Sequence, residues 1–222
     1  MDRLQSFLLS LVIVFPCVSG LIRWKRMRPS YRPFVVLMTI GAITEVLNYV
    51  KISVIKGNND LIINVYSIIE YLLIISQFYF WRFNSRTRRW YPYFGAFCLI
   101  IWIVENLIIK DIHHVGLVFR VSSSFFIIIL SINEINYIII NESRNLLKNA
   151  RFLICTGFLI YFLYELLFEG SIYVMGKEQN NTIASKIIEL SFYVNAVVNI
   201  IYGIAVWFIP KRISLDFTRS EN

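Results

Sequence analysis

The sequence predicts an all-α polytopic membrane protein: a bundle of seven transmembrane helices, with the N-terminus outside and the C-terminus cytoplasmic. Three observations lead there. Of 222 residues, 57% are hydrophobic and 16% aromatic, and the mean hydropathy is +0.62, which is rare for a soluble domain. Apolar runs near the ~20 residues that a bilayer requires recur along the chain. Between them Lys and Arg collect in alternate loops, the bias that sets topology.

The first run, Leu4–Ile22, contains Pro16, which is expected to kink it. Arg3, an apolar core Leu8–Phe15 and Val18-Ser19-Gly20 also fit a cleavable signal peptide. Cleavage there would leave the basic segment from Arg23 at an external N-terminus, against the charge pattern, so an uncleaved helix is expected. Pro33–Ile55 and Pro92–Ile109 each open on a proline, whose missing N–H is harmless at the first helical position. Lys56-Gly57-Asn58-Asn59-Asp60 reads as a tight turn into Leu61–Trp81. Val115–Ile139 and Arg151–Phe168 follow. The longest loop runs from Glu169 to Thr182, and Ile183–Ile209 is closed by Pro210. No interval is long enough for a separate domain, so residues 1–222 read as a single seven-helix transmembrane domain.

Orientation follows from charge. Arg23, Lys25, Arg26, Arg28 and Arg32 fall between the first two spans, and Arg82, Arg86, Arg88 and Arg89 between the third and fourth. Arg144, Lys148 and Arg151 join the fifth to the sixth, and Lys211, Arg212 and Arg219 lie in the tail. These are fifteen of the 22 Lys and Arg, all on one side; Arg3, Lys56, Lys110 and Lys177 lie opposite. Trp24, Trp81, Trp90, Tyr91 and Trp207 gather at the same boundary, as interfacial aromatics do. The net charge of +8 is thus split among short loops, and no basic domain exists to bind nucleic acid. Cys17, Cys98 and Cys155 lie inside apolar runs without metal-ligand spacing and read as small packing residues.

The candidate site rests on polar groups inside the spans. Ser191, Asn195, Asn199 and Tyr202 recur along the last span, and at about 100° per residue they fall within roughly 80° of one another. Such a stripe is expected to face other helices rather than hydrocarbon. Six spans each carry a glutamate: Glu45, Glu70, Glu105, Glu134, Glu165 and Glu189. By depth, Glu45 and Glu70 are central, Glu105, Glu165 and Glu189 lie in the outer third, and Glu134 lies toward the cytoplasm. A charge at mid-bilayer costs several kcal/mol, so these carboxyls are expected to face the interior, paired or protonated. Each has polar company on its own helix face: Gly41, Asn48 and Tyr49 with Glu45; Tyr66, Ser67 and Gln77 with Glu70; Tyr161 with Glu165. Arg120 and Glu134 share a face but stand about 21 Å apart along it. Arg120 is instead placed to neutralise Glu105, Glu165 or Glu189.

The candidate ligand-binding or proton-relay set is therefore Glu45, Asn48, Tyr49, Glu70, Glu105, Arg120, Tyr161, Glu165, Glu189, Asn195, Asn199 and Tyr202. The alternative is that these groups only make interhelical hydrogen bonds. No catalytic residue, metal site or cofactor is expected. His113 and His114 are adjacent in a short outer loop and point different ways. Ser122-Ser123-Ser124 suggests close helix packing more than a nucleophile. Asn180-Asn181-Thr182 fits the glycosylation pattern, which matters only in a eukaryotic host.

Several seven-helix families are excluded by their motifs. The only lysine in the last helix, Lys186, lies at its outer end, unlike that of a retinal protein. Trp81-Arg82 and Asn199-Ile-Ile-Tyr202 match neither motif of the G-protein-coupled receptors. The two adjacent histidines cannot supply the three spread over helices in ceramidase-type hydrolases, and no Pro-Gln motif of the sugar transporters occurs. The stretch Gly157-Phe-Leu-Ile-Tyr161, together with Asn195, Asn199, Tyr202, Trp207 and Pro210-Lys211, resembles small uncharacterised seven-helix integral membrane proteins of bacteria. That resemblance implies a multi-pass protein of a bacterial inner membrane, working beside a signalling partner. It supplies no catalytic residues.

The expected function is a sensory or accessory module with a polar, acidic intramembrane cavity that binds a small ligand. The basic inner loops would pass the signal to a cytoplasmic or membrane partner, or serve only to set topology and meet anionic head groups. The alternatives are a proton- or cation-coupled transporter or channel and, behind it, an intramembrane hydrolase.

Overall fold

The computed structural model describes residues 3–82, 86–109, 116–142, 145–175 and 182–212. They form seven helices long and apolar enough to cross a membrane, and no strand beyond a single bridge between Met27 and Lys211. The first helix is α1 (Arg3–Ser10) and α2 (Val14–Arg23), joined by a 3₁₀ turn over Leu11–Ile13. That turn lies where Pro16 cannot donate to the carbonyl four residues earlier, so the α-helical ladder is interrupted there. Then come α3 (Arg32–Ser53), α4 (Asp60–Trp81), α5 (Trp90–Ile103) with a π turn over Val104–Ile109, and α6 (Leu117–Asn141). α7 (Ala150–Met175) and α8 (Thr182–Phe208) complete the bundle.

Several boundaries differ from the sequence reading: α3 starts at Arg32, which makes Pro33 its second residue, and the start of α5 and the end of α7 also move. α5 starts at Trp90, which puts Pro92 in the first turn rather than at its first position, where a missing N–H still leaves no bond unmade. α7 runs on through Glu169 and Gly170, because Ile172 to Met175 continue the apolar pattern and one glycine costs a helix only about 1 kcal/mol. The expected loop at Glu169 is therefore helix.

Long side chains from neighbouring helices satisfy backbone groups at helix starts. Gln77 of α4 is fully buried. Its Oε1 accepts from the Phe34 N–H at 2.9 Å, and its Nε2 donates to the Ser30 carbonyl at 2.5 Å, closing the first turn of α3. At the other end of the bundle, Asn64 Oδ1 accepts from the Gly116 N–H at 3.2 Å, just ahead of α6.

α7 packs most extensively, against α6 on one side and α8 on the other, while α2 lies on α8 and α3. The α7–α8 crossing is close because Gly157 faces Tyr202: a Cβ at Gly157 would fall inside the tyrosine ring. That ring is held edge-on by Phe34 and Phe158, with centroids 5.2 and 5.7 Å away, so it has nowhere to go. Gly157→Ala is expected to lower the unfolding midpoint in detergent, with a loss of about 1–3 kcal/mol from overpacking. Gly170→Ala, which meets open space, is expected to leave the midpoint unchanged or raise it. Equal midpoints for the two variants would refute a tight crossing. Outside the bundle, Leu, Ile, Val and Phe side chains are widely exposed, Ile22, Ile108 and Ile140 among them, an apolar surface that fits contact with lipid.

Candidate functional site

Two adjoining pockets lie among α1, α3, α4, α7 and α8, away from the basic end of the bundle. One, of about 180 Å³, is lined by Glu45 and Asn48 from α3, Tyr66 and Glu70 from α4, Tyr161 from α7, and Asn195, Asn199 and Tyr202 from α8. The other, of about 200 Å³, is lined by Ser10 of α1, Glu45, Tyr161, Tyr164, Glu165, Ser191 and Asn195. Glu45, Tyr161 and Asn195 wall both and form the partition between them. Each pocket has room for about six waters.

Helix periodicity and one close contact create this space. Gly41 packs against Ile13, whose side chain would collide with any Cβ there. Polar side chains one turn apart then hold one another in place. Tyr66 donates to Glu70 Oε1 at 3.2 Å. Asn199 is buried, and its Nδ2 donates to both the backbone carbonyl and Oδ1 of Asn195, each at 2.9 Å. The α8 stripe thus presents an ordered amide surface on the pocket side.

Behind Glu165 stands the charge that balances part of this acidity. Arg120 of α6 places Nη2 3.2 Å from Glu165 Oε1 and 2.7 Å from Glu169 Oε1. The Glu169 oxygen lies off the hydrogen-bonding direction, so that contact is an ion pair only. The Ser124 hydroxyl donates to Glu165 Oε2 at 2.8 Å. Glu70 interacts electrostatically with both Glu165 and Arg120. Among the described residues, Arg120 is the cation paired with any of Glu45, Glu70, Glu165 and Glu169. The site therefore carries more carboxyls than cations.

The structure thus gathers Glu45, Asn48, Glu70, Tyr161, Glu165, Asn195, Asn199 and Tyr202 around the pockets, with Arg120 behind them. It places three candidates elsewhere. Tyr49 stacks on Phe7, with ring centroids 3.9 Å apart. Glu105, in the π turn after α5, is buried and accepts from the backbone N–H groups of Val118 and Phe119 at 2.9 and 2.7 Å. It caps α6, where a carboxylate meets the positive end of the helix dipole. Glu189 is exposed and lines neither pocket. Of the three partners expected for Arg120, the ion pair is with Glu165. Sequence reasoning missed Ser10, Ser124 and Glu169; Glu169 is one helical turn beyond Glu165, and that spacing was the available signal.

No group of three or more metal-ligating side chains occurs among the described residues. His113, His114, Asn180 and Asn181 lie outside them, as do the side chains of Arg86 and Thr182. No protein-family model, curated protein or solved structure matches the chain. The likeness to small bacterial membrane proteins therefore rests on the sequence alone.

Proposed function

We propose that the chain is a sensory or accessory module of a bacterial inner membrane, with its N-terminus outside and its basic end cytoplasmic. A small cationic or hydrogen-bonding ligand occupies the paired pockets, and its binding shifts helix packing toward a partner at the basic end. The observation that carries this reading is the convergence of Glu45, Glu70 and Glu165 with Tyr161, Asn195 and Asn199 from separate helices on one partitioned space. Helix packing alone would be served by isolated polar contacts such as the Glu105 cap. An excess of carboxyls over cations attracts a positive group, and the tyrosines and amides supply directional contacts for the rest of it.

The purified full-length chain, titrated in detergent with alkylammonium ions of increasing size, is expected to gain stability from members small enough for the pockets. At a hundredfold excess over Kd the gain is about 2.7 kcal/mol, on the order of 5–10 °C in unfolding midpoint. Glu45→Gln and Glu70→Gln are expected to abolish the gain. A parent chain whose midpoint no ammonium ion moves would count against the reading.

The second reading, a proton- or cation-coupled transporter or channel, draws on the succession Glu45, Glu70, Glu165 and Glu169, carboxyls at several depths as a relay requires. Ion flux into proteoliposomes that is lost in the same two variants would favour it.

A further inference from the structure

A groove of about 1060 Å³, larger than either acidic pocket, lies elsewhere in the molecule. It lies at the basic end, between α2, α3 and α8. Its walls are apolar and belong to the spans: Leu21 and Ile22 of α2, Val36 and Ile40 of α3, Trp207 of α8. Its rim is cationic, made by Lys25, Arg26 and Lys211.

The rim is held in place by backbone. The Arg28 N–H donates to the Pro210 carbonyl at 3.0 Å, and the Arg212 N–H donates to the Arg26 carbonyl at 2.8 Å. This short antiparallel pairing, with the Met27–Lys211 bridge inside it, sets the loop after α2 beside the chain leaving α8. The neighbouring Lys25 and Arg26 and the distant Lys211 are thereby brought to one edge. Arg23 is already committed: its guanidinium donates to the Val206 and Ile209 carbonyls at 2.5 and 3.2 Å, closing the end of α8. Arg32 lies over the Trp24 ring at 5.5 Å. Lys25, Arg26 and Lys211 are exposed, and none has an ion-pair partner among the described residues.

We infer that this groove is a binding site for one anionic phospholipid of the membrane leaflet at the basic end, its phosphate on Lys25, Arg26 and Lys211 and its acyl chains along Ile22, Val36 and Ile40. The inference rests on the chain spanning a membrane, not on the acidic pockets binding a ligand. A soluble anion satisfies the rim and leaves the apolar wall uncovered. A zwitterionic lipid covers the wall and brings its own cation to the rim. Trp24 and Trp207 mark the depth at which glycerol and phosphate meet the acyl chains. Attraction of about 1 kcal/mol per cation corresponds to a preference for anionic over zwitterionic lipid of at least about tenfold after screening.

The test uses the full chain in nanodiscs and follows tryptophan quenching by phosphatidylglycerol or phosphatidylcholine carrying brominated acyl chains. Quenching is expected at a lower mole fraction of brominated phosphatidylglycerol, by about tenfold or more. The preference should vanish in the Lys25→Gln, Arg26→Gln, Lys211→Gln triple variant, whose unfolding midpoint serves as the folding control. It should persist when Arg88, Arg89 and Lys148, three other basic residues at this end, become Gln. Ile40→Phe, which fills the apolar wall, keeps the cations and adds no fluorophore read by the assay, should weaken it. Equal quenching by the two lipids would overturn the proposal. So would the same loss in both triple variants, which would mean a diffuse surface charge. Displacement by millimolar inorganic phosphate would assign the rim to a soluble anion and overturn it as well.

Discussion

Arg120→Met is expected to be among the most damaging substitutions in the chain, and to act through the site. The guanidinium is the cation between Glu165 and Glu169, and its side chain is only 16% exposed. Removing it leaves two carboxyls facing each other with Glu70 nearby, in surroundings too apolar to hydrate them. Deleting one partner of a buried ion cluster costs about 3–5 kcal/mol, against about 1 kcal/mol or less for an exposed pair. For a chain of this size that is a fall of roughly 6–20 °C in unfolding midpoint. Arg120→Lys should be intermediate, because one ammonium keeps the charge but not the planar group whose Nη2 meets both carboxyls while Nε also donates to Glu165. The informative variant is the triple one, Arg120→Met with Glu165→Gln and Glu169→Gln. It removes the orphaned acidity and should recover most of the loss. A single variant that melts with the parent would show that the carboxyls do not need the arginine. A triple variant no better than the single one would show that arginine packing, not charge, is what was lost. Ammonium binding separates structure from use: the recovered triple variant has lost Glu165 as a pocket wall and should bind more weakly despite its restored stability.

The parts of this molecule legible in sequence are those decided within one helix. Span positions follow because hydropathy is a sum over about 20 residues, so boundary errors of a few positions change little. The Ser191, Asn195, Asn199 and Tyr202 stripe was readable because 3.6-residue periodicity fixes which side chains share a face before any neighbour is known. Partners are another matter. Glu105 has the depth and chemistry of a cavity residue, yet the π turn over Val104–Ile109 re-aims it at the start of α6, and nothing in the composition of that stretch announces a π turn. Ser124 reads as a small packing residue until α7 brings Glu165 to it. Glu169 was assigned to the start of the longest loop, although the apolar residues beyond it carry the helix on. Tyr49 belongs to the polar face of α3, but that face is longer than the pocket, and its far end meets Phe7 of α1. In each case the missing information is the rotation of one helix against another, which no single-helix pattern contains.

Glu134→Leu is expected to have the second large effect, at the opposite end of the bundle and with no involvement of the pockets. The Glu134 side chain is 1% exposed. Its Oε2 accepts from Arg82 Nε at 2.8 Å, and its Oε1 lies 3.7 Å from Arg151 Nη1, an ion pair too long for a hydrogen bond. The carboxylate thus joins the end of α4 to α6 and to the start of α7. Both guanidiniums also lie over aromatic rings, Arg82 over Tyr137 at 3.6 Å and Arg151 over Trp81 at 5.8 Å. Without the carboxylate, Arg82 keeps its ring and loses its counter-charge, while Arg151, at 19% exposure, can turn toward water. The loss is therefore expected mainly through Arg82, at about 3–5 kcal/mol for a buried charge left unpaired. A double-mutant cycle tests that assignment. Arg82→Met combined with Glu134→Leu removes both ions and their desolvation together, and should be more stable than Glu134→Leu alone; its loss should fall short of the sum of the two single losses by a coupling of at least about 1–3 kcal/mol. The same cycle run with Arg151→Met should give a smaller coupling, because solvent already screens that pair. Equal couplings for the two arginines would mean that the 3.7 Å contact holds the helices as firmly as the 2.8 Å one. The end of α4 and the start of α7 would then be clamped to α6 alike, rather than α4 alone.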